Sequence, residues 1–293
     1  MTWSHESPRT SPPPGKRNWY NALWRCVRPV LIAYLVVLLV MMFLEEKLIF
    51  FPDKAVGNLP HPPGLAIEDA WFQAADGTRL HGWYAPHSHP RAIVVYCHGN
   101  AGNISHRDEI IWKLHDVSGV AVLVFDYRGY GLSEGKPSEA GVLGDARAAR
   151  AWLAAREGIA ETDIVLMGES LGGAVAVDMA AADGAKALIL ESTFNSLPDL
   201  AARLYPWLPV RWLMRTRFDS QAKIGNYHGP LLQSHGPADS IVPFEFGWRL
   251  FEAANEPKQF LEIADRDHND GRPTSYYRAL AEFLDGNVPQ SGR

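Results

Sequence analysis

Short apolar runs recur along the chain, and most of them are followed by a stretch with helical spacing of apolar residues. The runs cover residues 92–97, 120–125, 164–167, 187–190, 230–234 and 259–263. Near-continuous apolar strands that alternate with helices predict an α/β fold: a mostly parallel central sheet with helices on both faces. Two earlier runs flank Asp76-Gly77, a strong turn signal, and predict an antiparallel hairpin at one edge of the sheet.

Residues 196–226 interrupt this alternation and are rich in Trp, Leu, Pro and Arg. We interpret them as a small helical cap insertion over the carboxyl end of the sheet, with an ordinary connection as the alternative. A cap would shape an apolar pocket. Trp207 and Trp212 are therefore candidate substrate-binding residues.

The charge of the chain is unevenly placed. Residues 1–28 hold five basic residues and one acid, a net charge of +4, whereas the whole chain of 293 residues has a net charge of -5. The remainder therefore carries -9. This balance disfavours nucleic-acid binding, while the basic head points to a membrane. The 47% apolar content excludes a wholly disordered chain and permits one large domain or two modest ones.

The basic head precedes 15 uninterrupted apolar residues, 30–44. As a helix they span about 22 Å, less than the roughly 30 Å of a hydrocarbon core, so a signal sequence or a buried helix remains an alternative. No small-residue cleavage site follows the run. We therefore expect an uncleaved single transmembrane anchor, helped by snorkelling of Arg28 and by residues 48–51 at the far interface.

These observations give a domain plan and a topology. The plan has a basic head at 1–28, of which 2–17 are expected to be disordered, an anchor at 29–47, one folded domain at 48–287 and a tail at 288–293. The positive-inside rule predicts a cytoplasmic N-terminus with the folded domain on the opposite, periplasmic or extracytoplasmic, side.

The pattern G-x-S-x-G occurs twice, around Ser133 and around Ser170. A nucleophile on this motif needs a strand before it and a helix after it. Ser133 has loop sequence on both sides, whereas Ser170 follows the apolar run 164–167 and precedes a helical stretch. Ser170 is the candidate nucleophile, with a glycine-rich turn that has no chemistry as the alternative.

A serine nucleophile requires a base, a group that orients the base, and oxyanion donors. Asp239 follows the run 230–234 and His268 follows the run 259–263, in the chain order Ser, acid, His. The expected oxyanion donors are the backbone N–H groups of Leu171 and of Asn100. Metal and dinucleotide fingerprints fail: 265–276 lacks two required positions of a calcium loop, and 129–134 lacks the third glycine. We expect no cofactor.

Several motifs jointly resemble the α/β-hydrolase superfamily, and within it a membrane-anchored, small-cap branch that includes alpha/beta-hydrolase-domain-containing protein thirteen and its bacterial relatives. The motifs are LIFFP at 48–52, HGNAGN at 98–103, FDYRGYGLSEGKPSE at 125–139, GESLGG at 168–173, RLYPWLPVRWL at 203–213 and DHND at 267–270. The resemblance implies a Ser170–Asp239–His268 triad and hydrolysis of an ester, thioester or amide. The implied partners are a small or lipid-like acyl substrate and a membrane. Members of the superfamily often have Gly-Gly before the catalytic His, where this chain has Arg266-Asp267.

Overall fold

A computed structural model describes residues 17–54 and 64–288. The chain divides into two compact units, Met1–Leu44 and Glu45–Arg293. Apart from Arg17, the segment expected to be disordered lies outside the described residues, and of the predicted tail only Val288 is described. The second unit begins three residues before the predicted boundary at 47/48, because Glu45 is a buried, hydrogen-bonded member of that unit.

Helix α1 (Arg17–Ile49) contains the predicted anchor. Its stretch Trp19–Ile49 is long and apolar enough to cross a membrane, with a mean hydropathy of 2.5 in its best window. The N-terminal apolar helix is therefore confirmed. It is longer than the apolar run because the aromatic and basic residues before the run are also helical.

The second unit is built on an eight-stranded sheet with the order β10-β9-β8-β7-β4-β6-β3-β2. A separate two-stranded sheet pairs β1 with β5. The strands are β1 (Phe51–Pro52), β2 (Glu68–Gln73), β3 (Arg79–Ala85), β4 (Ile93–Cys97), β5 (Ala101–Gly102), β6 (Ala121–Asp126), β7 (Val165–Glu169), β8 (Leu188–Glu191), β9 (Leu231–His235) and β10 (Lys258–Glu262).

Strands β6, β4, β7, β8, β9 and β10 are mutually parallel, and β3 runs antiparallel to both β2 and β6. Each predicted apolar run contains the core of one strand, and the ends differ by at most two residues. The predicted hairpin is the β2–β3 pair at the sheet edge, and Gly77 in its turn has φ of 84°. The predicted parallel sheet with an antiparallel edge is confirmed.

Helices cover both faces of this sheet. Helices α3, α4 and α8 pack in one core and α2 and α9 in the other, while successive residues of β4 alternate between the two. The predicted insertion is helical and contains α5, α6 and α7. The helices are α2 (Asp108–Asp116), α3 (Glu139–Glu157), α4 (Leu171–Asp183), α5 (Leu197–Leu204), α6 (Val210–Leu213), α7 (Ser220–Ile224), α8 (Phe244–Ala253) and α9 (Thr274–Asn287).

Candidate active site

Ser170 stands at the sharp turn between β7 and α4, with φ of 54° and ψ of -117°. A non-glycine residue at positive φ is strained by on the order of 1–3 kcal/mol, so the surrounding structure must hold it there. A Cβ at Gly168 would overlap the carbonyl of Gly172, and a Cβ at Gly172 would overlap the carbonyl of Cys97. The glycines of this G-x-S-x-G motif are therefore required by close backbone packing.

The structure brings together the three predicted triad residues. His268 Nε2 lies 3.1 Å from Ser170 Oγ, and His268 Nδ1 lies 2.8 Å from Asp239 Oδ2. The side chains come from the carboxyl ends of β7, β9 and β10, where parallel sheets place their sites. Because an ionised carboxylate only accepts hydrogen bonds, Nδ1 carries the proton and Nε2 is free to accept the proton of Ser170.

Asp239 is buried and accepts hydrogen bonds at both carboxylate oxygens. Its Oδ1 accepts the backbone N–H groups of Ile241 at 3.0 Å and of Val242 at 2.7 Å. Burial by itself raises the pKa of Asp239, but hydrogen bonds from His235, His268 and the backbone outweigh it and hold the pKa below its ordinary value. The carboxylate therefore stays charged at neutral pH.

His235, at the end of β9, is a second histidine at this carboxylate, and the sequence analysis did not single it out. Its Nε2 lies 2.8 Å from the carbonyl oxygen of Val242 and 3.3 Å from Asp239 Oδ2. Since both neighbours are acceptors, Nε2 must carry a proton. The fully buried imidazole thus holds the loop that carries Asp239 and Val242 in place. In the sequence, only its position at the end of a predicted strand pointed to it.

Asp267 joins the loops that carry the acid and the base. Its Oδ1 accepts the N–H of Ser240 at 2.8 Å and the N–H of His268 at 2.7 Å, and these bonds lower its pKa. Asp267 occupies one of the two positions where many superfamily members have glycine. The carboxylate of Asp267, which bridges Ser240 and His268, therefore sets the geometry of the loop that carries His268.

The loop after β4 lies beside the nucleophile. A Cβ placed on Gly99 would be 3.7 Å from the Cβ of Ser170. Tyr130 Oη donates to the Asn100 carbonyl at 2.8 Å, and Tyr127 Oη donates to the His98 carbonyl at 3.0 Å. This loop carries the predicted oxyanion donor Asn100. The other predicted donor, Leu171, is the first residue of α4, whose N–H has no acceptor within its own helix.

The second G-x-S-x-G motif has a structural role. Ser133 is buried, donates from Oγ to the carbonyl of Asp126 at 2.7 Å, and accepts the N–H of His81 at 3.0 Å. Asp126 in turn accepts the N–H of Ile104 at 3.0 Å, next to His98. Burial raises the pKa of Asp126 to about 7 and lowers that of His98 to about 3. His98 is thus held neutral as a loop residue.

Residues 45–53, which we call the strap, connect the end of α1 to residues 98–103 after β4, which we call the oxyanion loop after the donor predicted there. Asn100 Nδ2 donates to the carbonyl of Ile49. Directly afterwards β1 pairs in parallel with β5, and the Asp53 N–H donates to the Gly102 carbonyl at 3.2 Å. Gly131 N–H donates back to the Asp53 carbonyl at 2.9 Å. The backbone next to the predicted oxyanion donor is therefore fixed by the strap.

The strap also holds the insertion. Glu45 is buried, and its Oε1 accepts the N–H groups of Arg215 at 2.9 Å and of Thr216 at 2.7 Å. Phe50 packs edge-on against Phe218, with ring centroids 6.3 Å apart. Within the second unit, one nine-residue segment thus contacts both the insertion and the oxyanion loop.

A buried charged cluster lies behind the nucleophile. Tyr96 Oη donates to Glu169 Oε2 at 2.7 Å, and Arg272 Nη2 lies 3.9 Å from Glu169 Oε1. Arg272 Nε is 3.8 Å from Glu191 Oε1, a carboxyl whose pKa burial raises to about 7. Arg272 follows the histidine loop closely, so the cluster ties that loop to the nucleophile strand. The sequence analysis missed it because Glu169 is a variable position of the motif.

The two tryptophans predicted to bind substrate lie at the surface of the insertion. Trp207 is 59% exposed and Trp212 is 89% exposed. Rings that are exposed to this degree do not line an enclosed cavity. The contact of Trp207 and Trp212 with substrate stays a prediction. Within residues 17–54 and 64–288, no group of three or more potential metal-ligating side chains comes together.

The sequence of this chain is similar to a hydrolase family model and to several proteins over most of their length. A family model described as "Serine aminopeptidase, S33" matches residues 88–222. The chain is 40% identical over 271 residues to the uncharacterized protein Rv2307c of Mycobacterium tuberculosis, covering 90% of this chain and 92% of that protein. It is 32% identical over 275 residues to the alpha/beta hydrolase domain-containing protein WAV2 of Arabidopsis thaliana, covering 84% and 89%.

Solved structures share the fold. The esterase Pf2001 of Pyrococcus furiosus superposes with a TM-score of 0.66 at 21% identity, covering 81% of this chain and 99% of that one. Est1E of Butyrivibrio proteoclasticus, solved with ferulic acid, gives 0.61 at 21% identity, covering 75% and 99%. At this identity the likeness establishes the architecture of the second unit.

Proposed function

This chain belongs to the α/β-hydrolase superfamily, and from that premise we propose that it is a serine hydrolase that cleaves a carboxylic ester or thioester through an acyl-enzyme. The observation that carries the proposal is the continuous hydrogen-bonded path from Ser170 through His268 to Asp239, with distances of 3.1 and 2.8 Å. The lowered pKa of Asp239 supports it, because an ionised acid keeps His268 in the tautomer that accepts a proton.

In the proposed reaction, His268 Nε2 removes the proton of Ser170 as Oγ attacks the substrate carbonyl. The N–H groups of Leu171 and Asn100 stabilise the oxyanion, and the positive end of α4 adds to this effect. His268 then protonates the leaving alcohol or thiol. Water, activated by the same imidazole, attacks the acyl-enzyme and releases the acid and free Ser170.

The test is covalent labelling of the purified full-length protein in detergent with a fluorophosphonate probe. We expect the wild type and Ser133→Ala to be labelled and Ser170→Ala to be unlabelled. Ser133 is a suitable control because it belongs to the same sequence pattern but is hydrogen-bonded away from the triad. Labelling that survives Ser170→Ala would overturn the assignment of the nucleophile.

A panel of substrates separates the reaction classes. p-Nitrophenyl esters and acyl thioesters of increasing chain length test the proposed activity, and aminoacyl naphthylamides test the peptidase alternative, which the description of the matched family model favours. Amide cleavage that exceeds ester cleavage would replace the proposal by the peptidase. Absence of turnover on every ester, thioester and amide would favour a non-catalytic, membrane-tethered binding protein.

We also propose that α1 anchors the protein in a membrane, with a cytoplasmic N-terminus and the hydrolase unit on the other side. The span Trp19–Ile49 has the required length and hydropathy, and basic residues precede its apolar part. Full-length protein should stay in the membrane pellet after alkaline carbonate extraction. Release without detergent would contradict the anchor, and protection of the hydrolase unit from external protease in spheroplasts would contradict its side.

A further inference from the structure

Arg272 is a buried arginine that lies between β10 and α9, four residues after the proposed base His268. It is 8% exposed, and its Nη1 donates to the carbonyl of Asp270 at 2.7 Å while its Nη2 donates to Ser192 Oγ at 3.2 Å. Ser192 follows β8 directly. One guanidinium therefore joins the segment that carries the base to the end of a central strand of the sheet.

On one side of this guanidinium, the turn 267–270 carries His268. The N–H of Asp270 donates to the carbonyl of Asp267 at 3.1 Å, and the N–H of Asp267 donates to Asp270 Oδ2 at 3.0 Å. Asp267 also accepts the N–H of His268 through Oδ1 at 2.7 Å. Since the Asp270 carbonyl accepts a bond from Arg272, a shift of the guanidinium would displace the turn and with it the imidazole.

On the other side, the end of β8 holds the nucleophile by its backbone. The Ser170 N–H donates to the Glu191 carbonyl at 2.9 Å, and Thr193 Oγ1 donates to the Ser170 carbonyl at 2.7 Å. Ser192 lies between these two residues at a φ of 44°, which a non-glycine residue keeps only when its surroundings enforce it. The hydrogen bond from Arg272 is one such contact, because it fixes the Ser192 side chain.

The charges around Arg272 keep its guanidinium in the core but do not fix its orientation. Glu191 Oε1 is 3.8 Å from Nε, Glu169 Oε1 is 3.9 Å from Nη2, and among the described residues neither Nε nor Glu191 Oε1 has a hydrogen-bond partner. Burial raises the pKa of Glu191 to about 7, and the charge of Arg272 opposes that rise. The two hydrogen bonds, to Asp270 and Ser192, therefore determine where the guanidinium points.

We propose that Arg272 is a positioning residue of the hydrolase, whose two hydrogen bonds set the distance between His268 Nε2 and Ser170 Oγ. It acts through the turn 267–270 and Ser192, and within residues 17–54 and 64–288 no hydrogen bond joins its guanidinium to a triad side chain. The proposal rests on the proposed function, because this distance controls the rate only if His268 takes the proton of Ser170. A displacement of about 1 Å in such a pair can lower the rate about 10²-fold.

The experiment compares kcat and KM for the best p-nitrophenyl ester, with full-length protein in detergent, between wild type, Arg272→Met and Arg272→Met/Glu191→Gln. The double variant is included because loss of Arg272 alone leaves the buried Glu191 carboxyl without its positive partner, which can prevent folding. Arg150→Met is the matched control. Arg150 is 1% exposed and donates to the carbonyl of Glu161, so it is a buried arginine whose hydrogen bond reaches neither the turn 267–270 nor β8.

We expect kcat of the double variant to fall about 10²-fold while KM changes less than about threefold, because proton transfer needs the Ser170–His268 geometry and substrate binding does not. Urea unfolding gives the folded fraction by which each rate is corrected, and Arg150→Met should then keep the wild-type kcat. Equal kcat in the double variant and in Arg150→Met would overturn the proposal, and so would a change confined to KM.

A proton NMR signal separates this proposal from the proposed function. We expect the proton between His268 Nδ1 and Asp239 to give a low-field resonance that is absent in His268→Gln, shifted in the double variant and unchanged in Arg150→Met. If no substrate is turned over, or if Ser170→Ala is still labelled, the proposed function fails, and the shifted resonance still supports placement of His268 by Arg272. An unchanged resonance in the double variant would overturn the role of Arg272 whether or not the protein is active.

Discussion

The hydrogen bonds at Asp239 make Asp239→Asn a sharp test of the triad. The carboxylate accepts two backbone N–H groups at Oδ1, while His268 and His235 both approach Oδ2. An asparagine has one acceptor and one donor end. With its amide nitrogen at the Oδ2 position it faces both imidazole N–H groups, and with the nitrogen at the Oδ1 position it faces both backbone N–H groups. No orientation satisfies all four donors.

This conflict sets the size of the effect. One orientation leaves the two backbone N–H groups without an acceptor, and the other leaves the His268 N–H without one, since His235 Nε2 keeps its bond to the Val242 carbonyl. Each unmet donor costs about 1–3 kcal/mol, so we expect about 1–6 kcal/mol of lost stability. If the amide relaxes by donating to His268, the imidazole takes the tautomer that cannot accept the proton of Ser170. The equivalent change in a well-studied serine protease lowers kcat about 10⁴-fold, which is about 5.5 kcal/mol of barrier.

The assay is the rate of fluorophosphonate labelling together with kcat for the best ester, and urea unfolding gives the stability. Asp267→Asn is the matched control, because it also removes a carboxylate beside His268 but keeps an amide oxygen to accept the N–H groups of Ser240 and His268. We expect Asp267→Asn to retain most of the activity. An Asp239→Asn enzyme within tenfold of the wild-type rate would refute the reasoning.

Three further changes test the packing around the site. Gly172→Ala should severely destabilise the fold because the new Cβ overlaps the Cys97 carbonyl, whereas Gly144→Ala, which meets nothing within 4 Å on α3, should be neutral or stabilising by up to about 1 kcal/mol in urea unfolding. Glu45→Ala should lower the free energy of unfolding by about 2–4 kcal/mol, since two backbone N–H groups of the insertion lose a carboxylate acceptor, and Glu45→Gln should recover part of it in the same measurement. Burial raises the pKa of Asp126 from 3.8 to about 7, so its contribution to stability is fully present below pH 3.8 and is lost as pH rises through 7. In Asp126→Asn the stability measured by urea unfolding should therefore fall less over this interval than in the wild type, and parallel curves would contradict the raised pKa.

Much of the fold was predictable because burial on both faces leaves a simple sequence signal. β6 is buried at every position, and its apolar run was easily identified. β10 has no fully buried residue, yet it was recognisable because it follows the regular alternation of apolar runs and helical stretches along the chain. β1 and β5 have two residues each and no apolar pattern of their own. Their pairing depends on where the strap meets the oxyanion loop, which is a tertiary contact.

The candidate site likewise contains residues that the sequence could predict and residues that only tertiary contacts reveal. Ser170, Asp239 and His268 were singled out because each follows an apolar run, and position at a strand end is visible in the sequence. His235, Asp267 and Arg272 contact Asp239, Ser240 and Glu169, which are 4, 27 and 103 positions away in the chain. No local pattern distinguishes such residues from ordinary polar ones. Trp207 and Trp212 were noticed as unusual, but the sequence alone did not show that they face outward.

The strap gives these separate observations a common physical basis. Its Glu45 carboxylate holds the insertion, and its Ile49 and Asp53 carbonyls accept the side-chain amides of Asn100 and Asn103 from the loop with the predicted oxyanion donor. These hydrogen bonds at Glu45, Ile49 and Asp53 each join a backbone group to one side chain, and the β1–β5 pairing adds bonds between backbone groups alone. A displacement of the strap within the second unit is therefore expected to move the insertion and the oxyanion loop together.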